Sequence, residues 1–205
     1  MDTITDELKK LEEEIKRCRK CPLYKTRTNA VPGEGSTNPK IFFIGEAPGA
    51  QEDATGRPFV GAAGKLLTTL LNEIGLSRDE VYITNVIKCR PPGNRDPAKE
   101  EVEACRPYLE KQLSLMKPKA IVALGRHAAS WLSGYMNRRF RSMTREHGII
   151  FEFEILGFKA RILFTYHPAA ALYNPNLLDS LRKDFEKIKE MISKDRRRGT
   201  LEDYL

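Results

Sequence analysis

The chain has 205 residues, 40% of them hydrophobic and 31% charged, which suits one substantial core and leaves too little chain for two. Its formal charge of +7 points to an acidic polymer as partner, because Lys and Arg neutralise phosphates and release condensed counterions. No apolar run reaches membrane-spanning length and the acidic start (Asp2, Asp6, Glu7) lacks a signal-peptide layout, so a membrane protein is excluded and a cytoplasmic monomer is expected.

In chain order, Leu8, Leu11 and Ile15 recur at helical spacing and predict an amphipathic helix over residues 4–17. Residues 22–39, rich in Pro, Gly, Thr and Asn, read as a long ordered loop. Strands at 40–44, 81–84 and 120–124 then alternate with helices at 62–74, 97–116 and 126–132, the order of a parallel sheet covered on both faces. Two β-like runs at 149–155 and 160–165 flank a hairpin turn at 156–159, and a helix at 176–192 precedes a charged tail at 193–205. The expected fold class is α/β, with one domain over residues 1–192 built as three layers, α/β/α, around a central, mostly parallel four-stranded sheet. Such sheets bind ligands outside the carboxyl ends of their strands. That rule selects Gly45-Glu46-Ala47-Pro48-Gly49, Asn85, Gly125-Arg126 and His167-Pro168.

Four cysteines stand out. Cys18-x2-Cys21 closes the first helix, and fifteen residues separate Cys89 from Cys105. A cytoplasmic chain disfavours disulfides, and four thiolates satisfy one metal site. Spacing alone fits tetrahedral zinc and a 4Fe-4S cluster equally, with buried free thiols as the third reading. Basic residues flank both pairs (Lys16, Arg17, Arg19 and Lys20; Lys88, Arg90, Arg95 and Arg106), so a metal would tie down a basic, loop-rich surface. A second basic run, Arg126, Arg138, Arg139, Arg141 and Arg145, contains Glu146 as its one acid and is a candidate phosphate contact.

The selected pocket residues each carry two readings. Gly45 and Gly49 allow N–H groups and the Glu46 carboxylate to reach a small ligand together, as in phosphate-binding loops, although a surface turn has the same composition. Asn85 offers a donor and an acceptor from one amide, the pattern an imide edge needs; Asn after a strand is also a common turn residue. Phe59 alone reads as core. His167 could donate to an oxygen gaining negative charge, whereas His127 and His147 read as structural.

Taken together, Cys18-x2-Cys21, Arg27-Thr28, Gly45-Glu46-Ala47-Pro48-Gly49, Thr55-Gly56-Arg57-Pro58-Phe59-Val60-Gly61, Thr84-Asn85-x3-Cys89 and Tyr166-His167-Pro168-Ala169 resemble the family 4 uracil-DNA glycosylases of thermophiles. The motifs run in order from Cys18 to Ala169 and so cover most of the chain. The resemblance implies an α/β/α fold, a 4Fe-4S cluster on Cys18, Cys21, Cys89 and Cys105, and monofunctional removal of uracil from single- or double-stranded DNA in base excision repair. It implies that Phe59 stacks on uracil, Asn85 pairs with its polar edge, His167 faces its O2, Ala47 supplies a backbone contact, and Glu46 positions or activates water. Arg90, Arg126 and Arg141 are expected on DNA, and either Leu172 or Tyr173 as the wedge entering the vacated stack, because the arginine many relatives carry after His-Pro is absent here. The alternative is a uracil-DNA-binding iron-sulfur protein that is silent or traps DNA covalently through a histidine, for which His147 is the candidate. The terminal residues Arg198, Leu201, Tyr204 and Leu205 resemble a sliding-clamp-binding peptide without its usual glutamine; a charged, frayed terminus is the competing reading.

Overall fold

The computed structural model describes residues 3–193. The tail and its clamp-like residues Arg198, Leu201, Tyr204 and Leu205 lie outside the described residues. In chain order the elements are α1 (Ile4–Arg17), β1 (Glu34–Gly35), β2 (Ile41–Gly45), α2 (Ala50–Thr55), α3 (Ala62–Glu73), β3 (Tyr82–Asn85), α4 (Lys99–Met116), β4 (Ala120–Leu124), α5 (Arg126–Tyr135), α6 (Met143–Glu146), β5 (Ile150–Ile155), β6 (Phe158–Thr165), α7 (Pro168–Tyr173) and α8 (Leu178–Ser193).

The strands form one six-stranded sheet in the order β1-β3-β2-β4-β6-β5. Its centre, β3-β2-β4-β6, is parallel throughout. These are the four central strands expected, and β5 is the antiparallel hairpin partner read from residues 149–155; the correction is to the strand count, which is six because β5 joins the sheet and the unread β1 pairs antiparallel at the other edge. At two residues, β1 is too short to leave a periodic signature. The hairpin between β5 and β6 is also tighter than the sequence suggests. Ile155 faces Phe158 across a two-residue loop in which Leu156 and Gly157 both have positive φ (50° and 78°), as primed hairpin turns require.

Alternation divides the core between the two faces. Phe42, Ile44, Ile121, Ala123, Ile162 and Phe164 pack with α1, α4 and α5. Their neighbours Ile41, Phe43, Ala120, Val122 and Leu163 pack with α3 and α8. Strands β2 and β4 are buried along their whole length, which explains why they read as unbroken apolar runs. The α/β/α layering is thus present as expected. Among the described residues no helix is long and apolar enough to cross a membrane.

Helix boundaries shift for capping reasons. The fourth helix begins at Lys99 because the Glu101 carboxylate caps the Ala98 N–H at 2.8 Å. The last begins at Leu178 because Pro175–Leu177 forms a separate 3-10 turn capped by Asn174. At the carboxyl edge the sheet aligns Gly45 with Asn85 and Leu124 with Thr165, so the selected segments converge there.

Candidate functional site

A cavity of about 340 Å³ opens at this edge, and its walls include Glu46, Ala47, Gly49, Glu52, Phe59, Asn85 and His167. A more open groove of about 560 Å³ lies along Lys119, Glu152 and Arg161, at the opposite end of β4 and β6. Chemistry distinguishes the two, since only the first gathers the segments that follow the strands.

The floor is built by backbone continuing the β2–β3 pairing. Val86 N–H donates to the Gly45 carbonyl (2.9 Å) and Ile87 N–H to the Glu46 carbonyl (3.1 Å). Asn85 is consequently 1% exposed, and its Oδ1 is buried without a hydrogen-bond partner. A buried amide oxygen left unpaired costs about 1–3 kcal/mol, so the amide is built for a partner that enters the cavity.

Phe59 forms a wall, 6% exposed, with its ring stacked on that of His167 at 5.4 Å. Its backbone has φ 51°, an unfavourable region for a bulky residue. Neighbouring groups hold it there. Glu52 Oε1 accepts the N–H groups of Val60 (2.9 Å) and Gly61 (2.8 Å), and its Oε2 accepts that of Gly49 (3.1 Å). Arg78 donates to the carbonyls of Pro58 (2.7 Å) and Phe59 (3.0 Å) while paired with Glu34 at 2.6 Å. Glu52 therefore pins the Phe59 turn to the Glu46 turn.

His167 caps α7: its Nδ1 accepts the Ala169 N–H at 3.2 Å. That bond leaves Nε2 as the donor. Burial pulls the imidazole pKa down to about 4, with Glu52 opposing, so the ring is neutral near pH 7. Half-buried Glu46 is shifted the other way, raised chiefly by burial; His127 and Arg126 oppose this and Asp96 adds to it. His127 Nε2 lies 3.7 Å from Glu46 and 3.4 Å from Asp96. His127, expected to be structural, thus faces the carboxylate of the pocket. His147 does match its structural reading: it sits 3.0 Å from buried Asp184 and against Tyr166, outside the cavity walls.

All four cysteines line a second, nearly closed cavity with Arg27, Lys88 and Tyr108. Arg27 donates to Cys89 Sγ at 3.0 Å and the Lys88 N–H to Cys105 Sγ at 3.3 Å, contacts that favour thiolate over thiol. Burial chiefly, with the neighbouring cysteines adding to it, raises the thiol pKa of Cys21 and Cys89 and pushes Cys105 up to about 12. Thiolates here need a bound cation, so the donor set fits a thiolate-ligated metal centre.

The family model for the uracil DNA glycosylase superfamily matches residues 32–193. The chain is 52% identical over 189 residues to a type-4 uracil-DNA glycosylase of Saccharolobus solfataricus, covering 92% of this chain and 88% of that one. It is 50% identical to the type-4 enzyme of Archaeoglobus fulgidus over 98% of this chain and all of that one. With that of Thermotoga maritima it shares 45% over 90% and 94%. The chain belongs to the type-4 uracil-DNA glycosylases. In this type-4 glycosylase Cys18 and Cys21 precede the segment that the superfamily model matches, whereas Cys89 and Cys105 lie within it.

The remaining expected residues ring the pocket unevenly. Arg90 donates to Asn94, a wall residue, at 2.7 Å. Arg126 pairs with Asp96 at 2.5 Å. Exposed Arg141 bonds through its backbone N–H to Glu146 and is not among the wall residues. Leu172 (47% exposed) and Tyr173 (90%) end the helix that His167 begins. Sequence reasoning missed Glu52, Arg78 and Lys88, of which only Glu52 leaves a trace, the Gly49-x-x-Glu52 capping spacing.

Replacing Glu52 by Gln puts an NH2 group against N–H donors. We expect Glu52→Gln to lower unfolding stability by about 2 kcal/mol in denaturant titrations and to speed amide exchange at Val60 and Gly61. Unaltered protection at those two amides would refute the pinning role.

Proposed function

We propose that the protein flips uracil out of DNA and hydrolyses its N-glycosidic bond, leaving an abasic site. The observation that carries this reading is the buried, unpartnered Asn85 Oδ1 facing a cavity walled by Phe59 and His167. A flipped uracil would supply its N3–H to Oδ1 and take the Nδ2–H at O4. Cytosine lacks the N3–H and would leave Oδ1 unpaired, which is how the site rejects it.

Phe59 replaces the stacking lost on flipping, and the Ala47 turn adds backbone contacts. As the bond breaks, negative charge gathers on the uracil O2, where the neutral His167 donates from Nε2. Positive charge gathers on the sugar, and the Glu46 carboxylate stabilises it and orients the attacking water. Leu172 or Tyr173 fills the vacated stack; Tyr173 is favoured by its greater exposure. Arg90, Arg126 and Arg141 contact phosphates. The four cysteines hold a 4Fe-4S cluster whose contribution is structural, joining the end of α1 to the loop after Asn85, and a reducing, cytoplasmic setting keeps them available as ligands.

Incubation with a uracil-containing oligonucleotide followed by alkali should break the strand at uracil; an intact strand at high protein excess would overturn the reading in favour of a silent binder. His167→Ala should reduce excision about 100-fold with DNA binding little changed, and equal losses in both would contradict its role.

The rate should fall as the pH drops through the raised Glu46 pKa, above its usual value of 4.5, while His167 stays neutral down to about 4. Glu46→Gln should remove this acid limb along with most of the rate. An acid limb that survives in Glu46→Gln would assign it elsewhere.

Anaerobically purified protein should contain about four irons and four acid-labile sulfides per chain. One zinc and no sulfide would reassign the centre.

A further inference from the structure

Lys88 is 1% exposed, an unusual position for a lysine. Its Nζ makes three hydrogen bonds, to Thr84 Oγ1 (2.5 Å), the Asn85 carbonyl (2.9 Å) and Gln112 Oε1 (2.8 Å). The surrounding donors fix the direction of each. Thr84 Oγ1 donates onward to the Pro32 carbonyl (2.6 Å), and Gln112 Nε2 donates to Pro32 O (3.0 Å) and Tyr82 Oη (3.1 Å). Both therefore present a lone pair to Lys88, and three acceptors around one amine use all three ammonium hydrogens. None of the three carries a charge. The neighbouring groups that could carry negative charge are the cysteines of the cavity it lines, and its own N–H is bonded to one of them, Cys105 Sγ.

One residue thus touches both sites, its main-chain N–H bonding to Cys105 Sγ in the cysteine cavity and its Nζ to the backbone carbonyl of the pocket amide. Resting on the reading of Asn85 as the uracil-binding amide, we propose that Lys88 is a positioning residue that fixes Asn85 from behind and makes its aim depend on the cysteine-held centre. The ammonium grips the Asn85 carbonyl, and α4, through Gln112, holds the ammonium. Loss of this grip leaves the pocket walls in place but frees the amide to turn.

The test is a double-mutant cycle on the iron-loaded full-length chain, with Lys88→Met, Asn85→Ala and both together, read as single-turnover excision and as affinity for DNA carrying an abasic-site analogue. Lys88→Met should reduce the excision rate on the order of 10- to 100-fold, leaving iron content and abasic-site affinity within about twofold of the parent. In the Asn85→Ala background it should change the rate less than about twofold. Equal effects in both backgrounds would overturn the proposal, as would loss of iron in step with rate, which would make Lys88 a residue for retaining the cluster. An Asn85→Ala variant as fast as the parent would instead overturn the underlying reading of Asn85. Should Lys88→Met not fold, Gln112→Leu removes one acceptor of the ammonium and enters the same cycle, with non-additivity expected and additivity decisive against.

Discussion

A Cβ at Gly45 would stand 2.3 Å from Asn85 Oδ1 and 2.6 Å from the Phe59 ring, so the bare backbone at the end of β2 is what lets the amide and the ring share one cavity. The parallel register sets Gly45 beside Asn85, and no side chain could be accommodated without moving either the amide or the ring. The same logic recurs at Gly64, where a Cβ would fall 1.8 Å from the Phe59 carbonyl oxygen. That contact is with backbone, which cannot swing aside. Helix α3 thereby approaches close enough to back the Phe59 turn.

Around these contacts the chain uses buried and partly buried charges as fasteners. Glu52, Arg78 and Lys88 each engage main-chain groups of the pocket segments, and Asp53, 5% exposed, does the same for Thr28 and Asn29. Desolvating an ion is costly and seldom raises stability over an apolar replacement. What a fully bonded ion gives is direction: one arrangement satisfies every donor and acceptor, and alternatives leave one unpaired. For a site that must aim dipoles before the charge develops, that rigidity matters more than stability.

This division explains what could be read from the sequence. The four parallel strands show themselves as short apolar runs, and the ligand edge follows from topology. Asn85, Glu46, Phe59 and His167 stand at strand ends or in glycine-rich turns, where composition already marks them. The fasteners leave little such mark. Arg78 and Glu34 are 44 residues apart, and a lysine beside a cysteine reads as surface charge. The placement of His127 beside Glu46 is not legible, because a first-turn helical residue gives no hint of which loop it faces. The short α2 and α7 escape periodicity because six residues complete fewer than two turns; their caps, not their apolar positions, define them.

The two ionisable groups of the pocket need opposite treatment, and the fold gives them different neighbourhoods within one cavity. A neutral His167 is secured twice. Burial disfavours the cation, and the Ala169 N–H occupies the lone pair on Nδ1 that a second proton would need. The bond that aims the ring also guards its charge state. Glu46 is subject to burial too, which favours its neutral acid, but there His127 and Arg126 supply positive charge that pulls the other way. Asp96, paired with Arg126 and 3.4 Å from His127, draws on that same positive charge. The carboxylate is therefore held in a balance set by residues after β4 and before α4, whereas at the imidazole burial dominates and Glu52 opposes it. Burial acts on both groups, but their charged neighbours are different residues, so the two shifts run in opposite directions from the ordinary values within one cavity.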